Sequence, residues 1–262
     1  MIQKLKRVML NKILIFFVIF SFSIVSKTIK AASDKIELIE QNWPHSGIFG
    51  RFDKSSLQRG FLVYKEVCAA CHGLKHVSYR DLTGIGLTVD EIKSIAGEYE
   101  LVDGPNDEGE MFDREAKPSD KFVNPYENDN QARVANNGAY PPDLSLIVKA
   151  RAGGADYLYS LLNGYKEFPE GFEASEGMYY NEYYPGKQIA MPSPIMDDIV
   201  DYYDGTDATH VQIARDVTSF LSWAAEPELE ERKSLGVKTL FFLILLTIML
   251  LGVKRKIWKD VN

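Results

Sequence analysis

Cys68-Ala69-Ala70-Cys71-His72 spells C-x-x-C-H and holds both cysteines of a chain of 262 residues. Thiols at this spacing add across the two vinyl groups of a haem, and the histidine that follows offers an axial nitrogen to the iron. With two cysteines and four histidines available, chance assembly of the motif is on the order of one in ten thousand. The stretch reads as the attachment site of one covalently bound haem c. Two other uses of the same residues compete with it. A structural zinc site needs four ligands, and only His45, His76 and His210 remain to complete one, none bringing a second ligand pair. A redox dithiol needs a leading strand in an alternating β/α pattern, which the chain does not show.

Covalent haem is attached outside the cytoplasm, so the ends of the chain should carry export signals. Lys4, Lys6, Arg7 and Lys12 precede an apolar run from Ile13 to Val25, and the small residues Ala31, Ala32 and Ser33 follow. That order predicts a signal peptide over 1–32, with an uncleaved anchor helix as the alternative. A second apolar stretch, 235–253, contains one charge, Lys238, and is long enough to cross a bilayer as a helix. Lys238 can snorkel to the near interface, and Trp258 stands where an aromatic anchor belongs on the far side. Lys254, Arg255, Lys256 and Lys259 follow the span, which places the tail 254–262 in the cytoplasm. The expected location is therefore a bacterial cell inner membrane, crossed once, with residues 33–230 as a periplasmic haem c domain.

The overall net charge of −7 conceals a stronger field. Of 30 Lys and Arg and 37 Asp and Glu, the segments 1–32 and 231–262 take 13 bases and 2 acids, which leaves 17 bases against 35 acids in 33–230, a net of −18. Such a surface keeps a protein soluble and also attracts cationic partners, so beside a haem it points to a basic redox partner met transiently.

Hydrophobic spacing predicts a mostly α-helical domain with long loops. Leu57, Phe61, Tyr64 and Val67 or Cys68 repeat at helical intervals after a cap at Ser55 or Ser56, so the haem motif ends a helix running to about Leu74. Residues 97–130 read as a long acidic loop, either a docking surface or a solvated insertion. One or two helices are expected over 143–165, broken at Gly153 and Gly154, and residues 166–206 return to loop. Thr209 and Gln212 stand at capping-box spacing before a last soluble helix that runs towards the span through Glu226 and Pro227.

The sixth position on the iron decides the chemistry, because an occupied site favours electron transfer and an open one favours binding or activation. Met111, Met178, Met191 and Met196 lie outside the signal and the span, and by sequence alone a methionine in such a place is more often packing than a ligand. Met191 sits in Gln188-Ile189-Ala190-Met191-Pro192-Ser193-Pro194, a proline-stiffened loop suited to holding a thioether in place. His76 follows His72 by four residues and would lie on the same side of the ring.

Several stretches together resemble the cytochrome c1 family: Arg59-Gly60-Phe61, the haem motif, Asp103-Gly104-Pro105-Asn106, Ala135-Asn136-Asn137-Gly138-Ala139, Pro141-Pro142-Asp143-Leu144-Ser145 and Trp223-Ala224-Ala225-Glu226-Pro227. The resemblance runs from about Trp43 to the end of the anchor helix. It implies the haem c subunit of a respiratory quinol:cytochrome c oxidoreductase, the cytochrome bc1 complex, which is an electron-transfer subunit and not an enzyme on its own. It further implies that cytochrome b and a Rieske iron-sulfur protein are partners in one membrane complex. The Rieske protein would give the electron and a cytochrome c would accept it. Cys68, Cys71, His72 and Met191 are then the haem-binding residues, with His72 and Met191 on the iron, and Arg151 matches an arginine that meets a haem propionate. Some bacterial members carry an additional disulfide, for which this chain has no cysteines. A haem sensor or enzyme with an open sixth position, and a non-haem zinc-binding anchor protein, are the readings from other classes.

Overall fold

Asp53 starts the first helix, α1 (Lys54–Val63), by accepting a hydrogen bond from the Ser55 amide at 3.1 Å. The cap thus falls two or three residues before the expected serines, because a carboxylate just outside the helix also meets the positive end of the helix dipole. The computed structural model describes residues 36–259, and the signal segment expected over 1–32 lies outside them. Of these, residues 37–259 belong to one unit. Leu57, Gly60 and Phe61 line the buried face of α1, which packs on the long helix α5 (His210–Ala225). The two helices meet so closely that a Cβ on Gly60 would stand 2.1 Å from the Asp216 carbonyl oxygen. Only a residue without a side chain allows that approach.

Past Val63 the helical ladder widens into one π-helical segment, Tyr64–Cys68, in which the Ala69 amide reaches back to the Tyr64 carbonyl at 2.8 Å. The helix expected to reach Leu74 ends here, and the change of ladder re-aims the chain where the haem motif begins. Around this point an aromatic column fills the core. Phe61 lies 5.6 Å from Phe220, Tyr64 lies 6.0 Å from Phe122, and Phe122 stacks on Tyr79 at 4.5 Å. Such offset and edge contacts add to the area that large rings bury.

Between the haem motif and α5 the chain is more structured than its composition suggested. A 3-10 turn, Tyr79–Ile85, and helix α2 (Val89–Gly97) each open with a capping box, formed by Ser78 with Asp81 and by Thr88 with Glu91. The expected acidic loop 97–130 contains an antiparallel hairpin of β1 (Glu100–Asp103) and β2 (Phe112–Glu115), in register Glu100↔Glu115 to Asp103↔Phe112. Arg114 pairs with Asp103 and with Asp120, which holds this acid-rich ribbon together. Helix α3 (Asp129–Ala135) follows. Only the second half of 143–165 is an α-helix, α4 (Gly154–Asn163), entered through Gly153 at φ 87°. Within 166–206, β3 (Tyr179–Tyr180) pairs with β4 (Gln188–Ile189), a pairing too short to leave a periodic signal.

Thr209 caps α5 by accepting from the Gln212 amide at 3.3 Å. The return arm of the expected capping box is absent, since the Gln212 amide group turns instead to buried Asp216 at 2.9 Å. After a break at Glu226–Glu228, helix α6 (Leu229–Ile257) extends for 29 residues, about 44 Å at helical rise. Leu229 is buried, whereas the apolar side chains of its middle are almost all exposed, left uncovered by the other described residues. This is a single C-terminal membrane-spanning helix. Its root is tied to the domain: Lys233 Nζ donates to the His45 carbonyl at 2.6 Å, and Glu230 accepts from the Phe52 amide at 2.9 Å.

Candidate haem-binding site

The two thiols and the histidine are presented by a turn that the π-segment makes possible. The amides of Cys71 and His72 both donate to the Cys68 carbonyl, at 3.1 and 2.9 Å, which brings Cys68, Cys71 and His72 to one end of α1. The hydroxyl of buried Tyr64 donates to the His72 carbonyl at 3.1 Å and closes the turn from beneath. Both cysteines are free of disulfides, and each residue as a whole is half-buried. Burial, and then the neighbouring Cys71 sulfur, push the Cys68 thiol up to about 12. Such surroundings favour an uncharged sulfur, which a thioether is and a thiolate ligand is not.

His72 has its proton position settled by a partner. Its Nδ1 lies 2.7 Å from the Pro142 carbonyl oxygen. A carbonyl only accepts, so Nδ1 donates and the lone pair is left on Nε2. Burial lowers the basicity of the ring, against the opposing effects of the Pro142 carbonyl and of Asp143. The neutral imidazole, with one nitrogen free to ligate, is the favoured form.

Pro142 is placed by a zipper between 72–76 and 142–145. The Leu144 amide donates to the Gly73 carbonyl at 2.9 Å, Asp143 accepts from the Lys75 amide at 2.9 Å, and Ser145 Oγ accepts from the His76 amide at 3.0 Å. Gly73 permits this approach, since a Cβ there would meet Asn124 Oδ1 at 2.3 Å and Asp143 Oδ2 at 3.2 Å. Sequence alone does not mark these partners as site residues: Pro142 and Asp143 stand in a family-like stretch, Asp143 also opens the expected helical stretch 143–165, and Tyr64 reads as a core position of a helix.

The other candidates fall elsewhere. Met111 and Met196 are each 60% exposed, whereas Met178 and Met191 are half-buried. Met191 follows β4 and is reached by the Tyr165 hydroxyl, which donates to its carbonyl at 3.1 Å. His45 stacks on Phe52 at 4.7 Å, and His210 Nε2 is bonded to the Leu162 carbonyl at 3.0 Å, so both rings already have packing or hydrogen-bonding partners. His76 is exposed. Arg151 is exposed and makes no ion pair among the described residues. A polar cleft of about 240 Å³ between α1 and α5, lined by Arg59, Arg215, Asp216 and Gln212, contains none of the motif residues. Among the described residues no group of three or more His, Cys, Asp or Glu is arranged to hold a metal ion, so Cys68, Cys71 and His72 lack the further ligand a structural zinc needs.

The residues present fit a covalently held haem: two uncharged sulfurs one turn apart and a histidine whose tautomer is set by its second nitrogen. Fold and site together define a mostly helical c-type cytochrome domain carried on one membrane-spanning helix. A sequence model of the Cytochrome C1 family matches residues 43–261. The chain is 50% identical over 240 residues to "Cytochrome c1 1, heme protein, mitochondrial" of Arabidopsis thaliana, covering 92% of this chain and 78% of that protein. It is 50% identical over 243 residues to "Cytochrome c1" of Rhodospirillum rubrum, covering 87% of this chain and 89% of that one. Over 247 residues it is 48% identical to "Cytochrome b-c1 complex catalytic subunit, mitochondrial" of Candida albicans, with 94% and 86% covered. The chain belongs to the cytochrome c1 family. Its cofactor is one covalently bound haem c, and its role is that of an electron-transfer subunit and not of an enzyme on its own.

Proposed function

We propose that this chain carries single electrons within a cytochrome bc1 complex, taking them from a Rieske iron-sulfur protein and passing them to a cytochrome c, with cytochrome b as a further partner. The observation that carries the reading is the pairing of the C-x-x-C-H turn with a histidine held at Nδ1 by the Pro142 carbonyl. In this reading Cys68 and Cys71 would hold the haem covalently, each through one thioether. The haem supplies a one-electron Fe(III)/Fe(II) couple. His72 would hold the iron through Nε2, its tautomer fixed by the Pro142 carbonyl. Met191 would supply a thioether as the second ligand, which would favour transfer over ligand binding and raise the potential. Half-burial of Met191 and its attachment to Tyr165 support that choice over exposed Met111 and Met196. Arg151, free of ion pairs among the described residues, is the proposed partner of a propionate.

The domain occupies 33–230, the span 235–253 and the tail 254–262, after removal of 1–32. The haem domain faces the periplasm of a bacterial cell and the tail the cytoplasm, as the basic residues after the span favour. The net −18 of 33–230 suits a basic cytochrome c met through a small, wet interface.

The test is Met191→Leu in the full haem-loaded chain. The expected result is a lower midpoint potential and a ferrous protein that binds carbon monoxide. An unaltered potential with no carbon monoxide binding overturns Met191 as ligand, and denatured protein without covalent haem colour overturns the whole reading.

A further inference from the structure

The chain between α4 and Met191 is 27 residues long, almost without regular structure, and crosslinked by no disulfide, yet its far end has to hold a thioether. Its hydrogen bonds converge on two residues. Asn181 is fully buried; its Nδ2 donates to the Leu161 carbonyl in the last turn of α4 at 2.8 Å, and its Oδ1 accepts from the Tyr183 amide at 3.0 Å. Beside it the Glu182 amide donates to the Gly164 carbonyl at 2.9 Å, and Asn181 bridges Tyr165 in antiparallel fashion. Gly164 makes room for this node, since a Cβ there would meet Tyr183 at 2.5 Å and Asn181 Oδ1 at 2.7 Å. From Asn181 the order passes into β3 and across the pairs Tyr179↔Ile189 and Tyr180↔Gln188 into β4, which ends two residues before Met191. There the half-buried Tyr165 hydroxyl reaches over and donates to the Met191 carbonyl itself, at 3.1 Å.

We propose that Tyr165 is a positioning residue that fixes the backbone of Met191 to the end of α4, with Asn181 anchoring the strand pair that delivers it, so that the thioether is pre-placed for the iron. The proposal rests on the reading of Met191 as sixth ligand. A methionine side chain has three rotatable bonds and its sulfur is a soft ligand. Pinning the carbonyl from one side, while Pro192 and Pro194 stiffen the other, removes much of the backbone freedom that ligation would otherwise cost. Hydrogen bonds thereby serve in place of a covalent crosslink in this segment.

The test uses Tyr165→Phe and Met191→Leu in the full-length, haem-loaded protein in detergent. Tyr165→Phe keeps the ring and deletes one hydrogen bond, so the fraction of protein with an open iron should rise about fivefold, equivalent to about 1 kcal/mol. It should appear as carbon monoxide uptake by the ferrous form, a weaker sulfur-to-iron charge-transfer band in the ferric form and a lower midpoint potential. A purely structural role would lower the unfolding midpoint and leave these three readouts of the folded protein unmoved. If Met191→Leu opens the iron and Tyr165→Phe matches the unsubstituted protein in all three, the positioning role is overturned and the ligand assignment survives. If Met191→Leu also leaves the iron closed, the ligand assignment falls and the proposal falls with it.

Discussion

Replacing Gly60 by alanine should separate α1 from α5, and the structure sets the size of the effect. The added Cβ would lie 2.1 Å from the Asp216 carbonyl oxygen, 2.6 Å from its carbon and 2.7 Å from the Phe220 Cβ. Carbon and carbonyl oxygen settle at about 3.3 Å or more, so the helices must part by roughly 1 Å along that line. The obstacle is backbone inside a helix and cannot swing aside as a side chain would. A gap of about that width forfeits a quarter to a half of each dispersion contact it opens, and Leu57, Phe61, Val217 and Phe220 all lie in the shared core. It also stretches the bonds from Ser56 and Arg59 to buried Asp216, at 2.6 and 2.7 Å. Overpacking of this kind costs about 3 kcal/mol, the top of its usual range. Alanine returns up to about 1 kcal/mol through helix propensity, so the net loss is about 2 kcal/mol. For a domain of this size that is a fall in Tm of roughly 4–8 °C. The assay is thermal unfolding of the full chain in detergent, followed by circular dichroism. Gly236→Ala in α6, where a Cβ meets nothing within 4 Å, serves as the comparison and should not melt lower. A Gly60→Ala protein melting within about 1 °C of the unsubstituted chain would refute the close-contact reasoning.

Two further outcomes follow from charge. His45 is held down to about 4 by burial and by the nearby Lys233 charge, against about 6.5 for a free histidine. Between those values the unfolded chain binds the extra proton, so stability rises with pH across the window and is lost as pH falls from about 6.5 to about 4. After allowance for its partial exposure the loss is about 1–2 kcal/mol. His45→Gln should flatten denaturation midpoints over that range, and a slope as steep as that of the unsubstituted protein would remove His45 as its source. The acidic surface makes the second prediction. Electron transfer to a basic cytochrome c should slow several-fold between about 0.01 and 0.1 M ionic strength, as the screening length contracts from about 30 to about 10 Å. Stopped-flow rates independent of salt would defeat the proposed acidic docking.

Legibility in the sequence tracked the range of the interactions involved. The N-cap at Thr209 was visible because a cap is decided within four residues, yet its expected box partner Gln212 was drawn off by Asp216, a competitor on the same helix but buried only by the fold. The hairpin of β1 and β2 went unseen in its acidic surroundings because Arg114 offsets the charge only once Asp103 and Asp120 are brought beside it. Helix α1 read correctly by its spacing up to Val63, and then changed ladder at Tyr64 for reasons its own residues do not carry. The aromatic ring that shapes the turn there packs against Phe122 and Phe220, far along the chain.

By itself the sequence determined what depends on residue identity at short spacing. Two thiols and an imidazole within five positions specify the cofactor chemistry, and an apolar run of bilayer length specifies the span, since neither needs a distant partner to be recognised. The tertiary structure alone decided the state and placement of those groups. The proton of His72 sits on Nδ1 because the Pro142 carbonyl, 70 residues away, arrives at 2.7 Å. Met191 is tied to the end of α4 because Tyr165, 26 residues before it, turns its hydroxyl to the Met191 carbonyl. Hydrogen bonds hold only across about 3 Å, so which partners meet is set by packing, and here Gly73 and Gly164 leave the room for those two approaches.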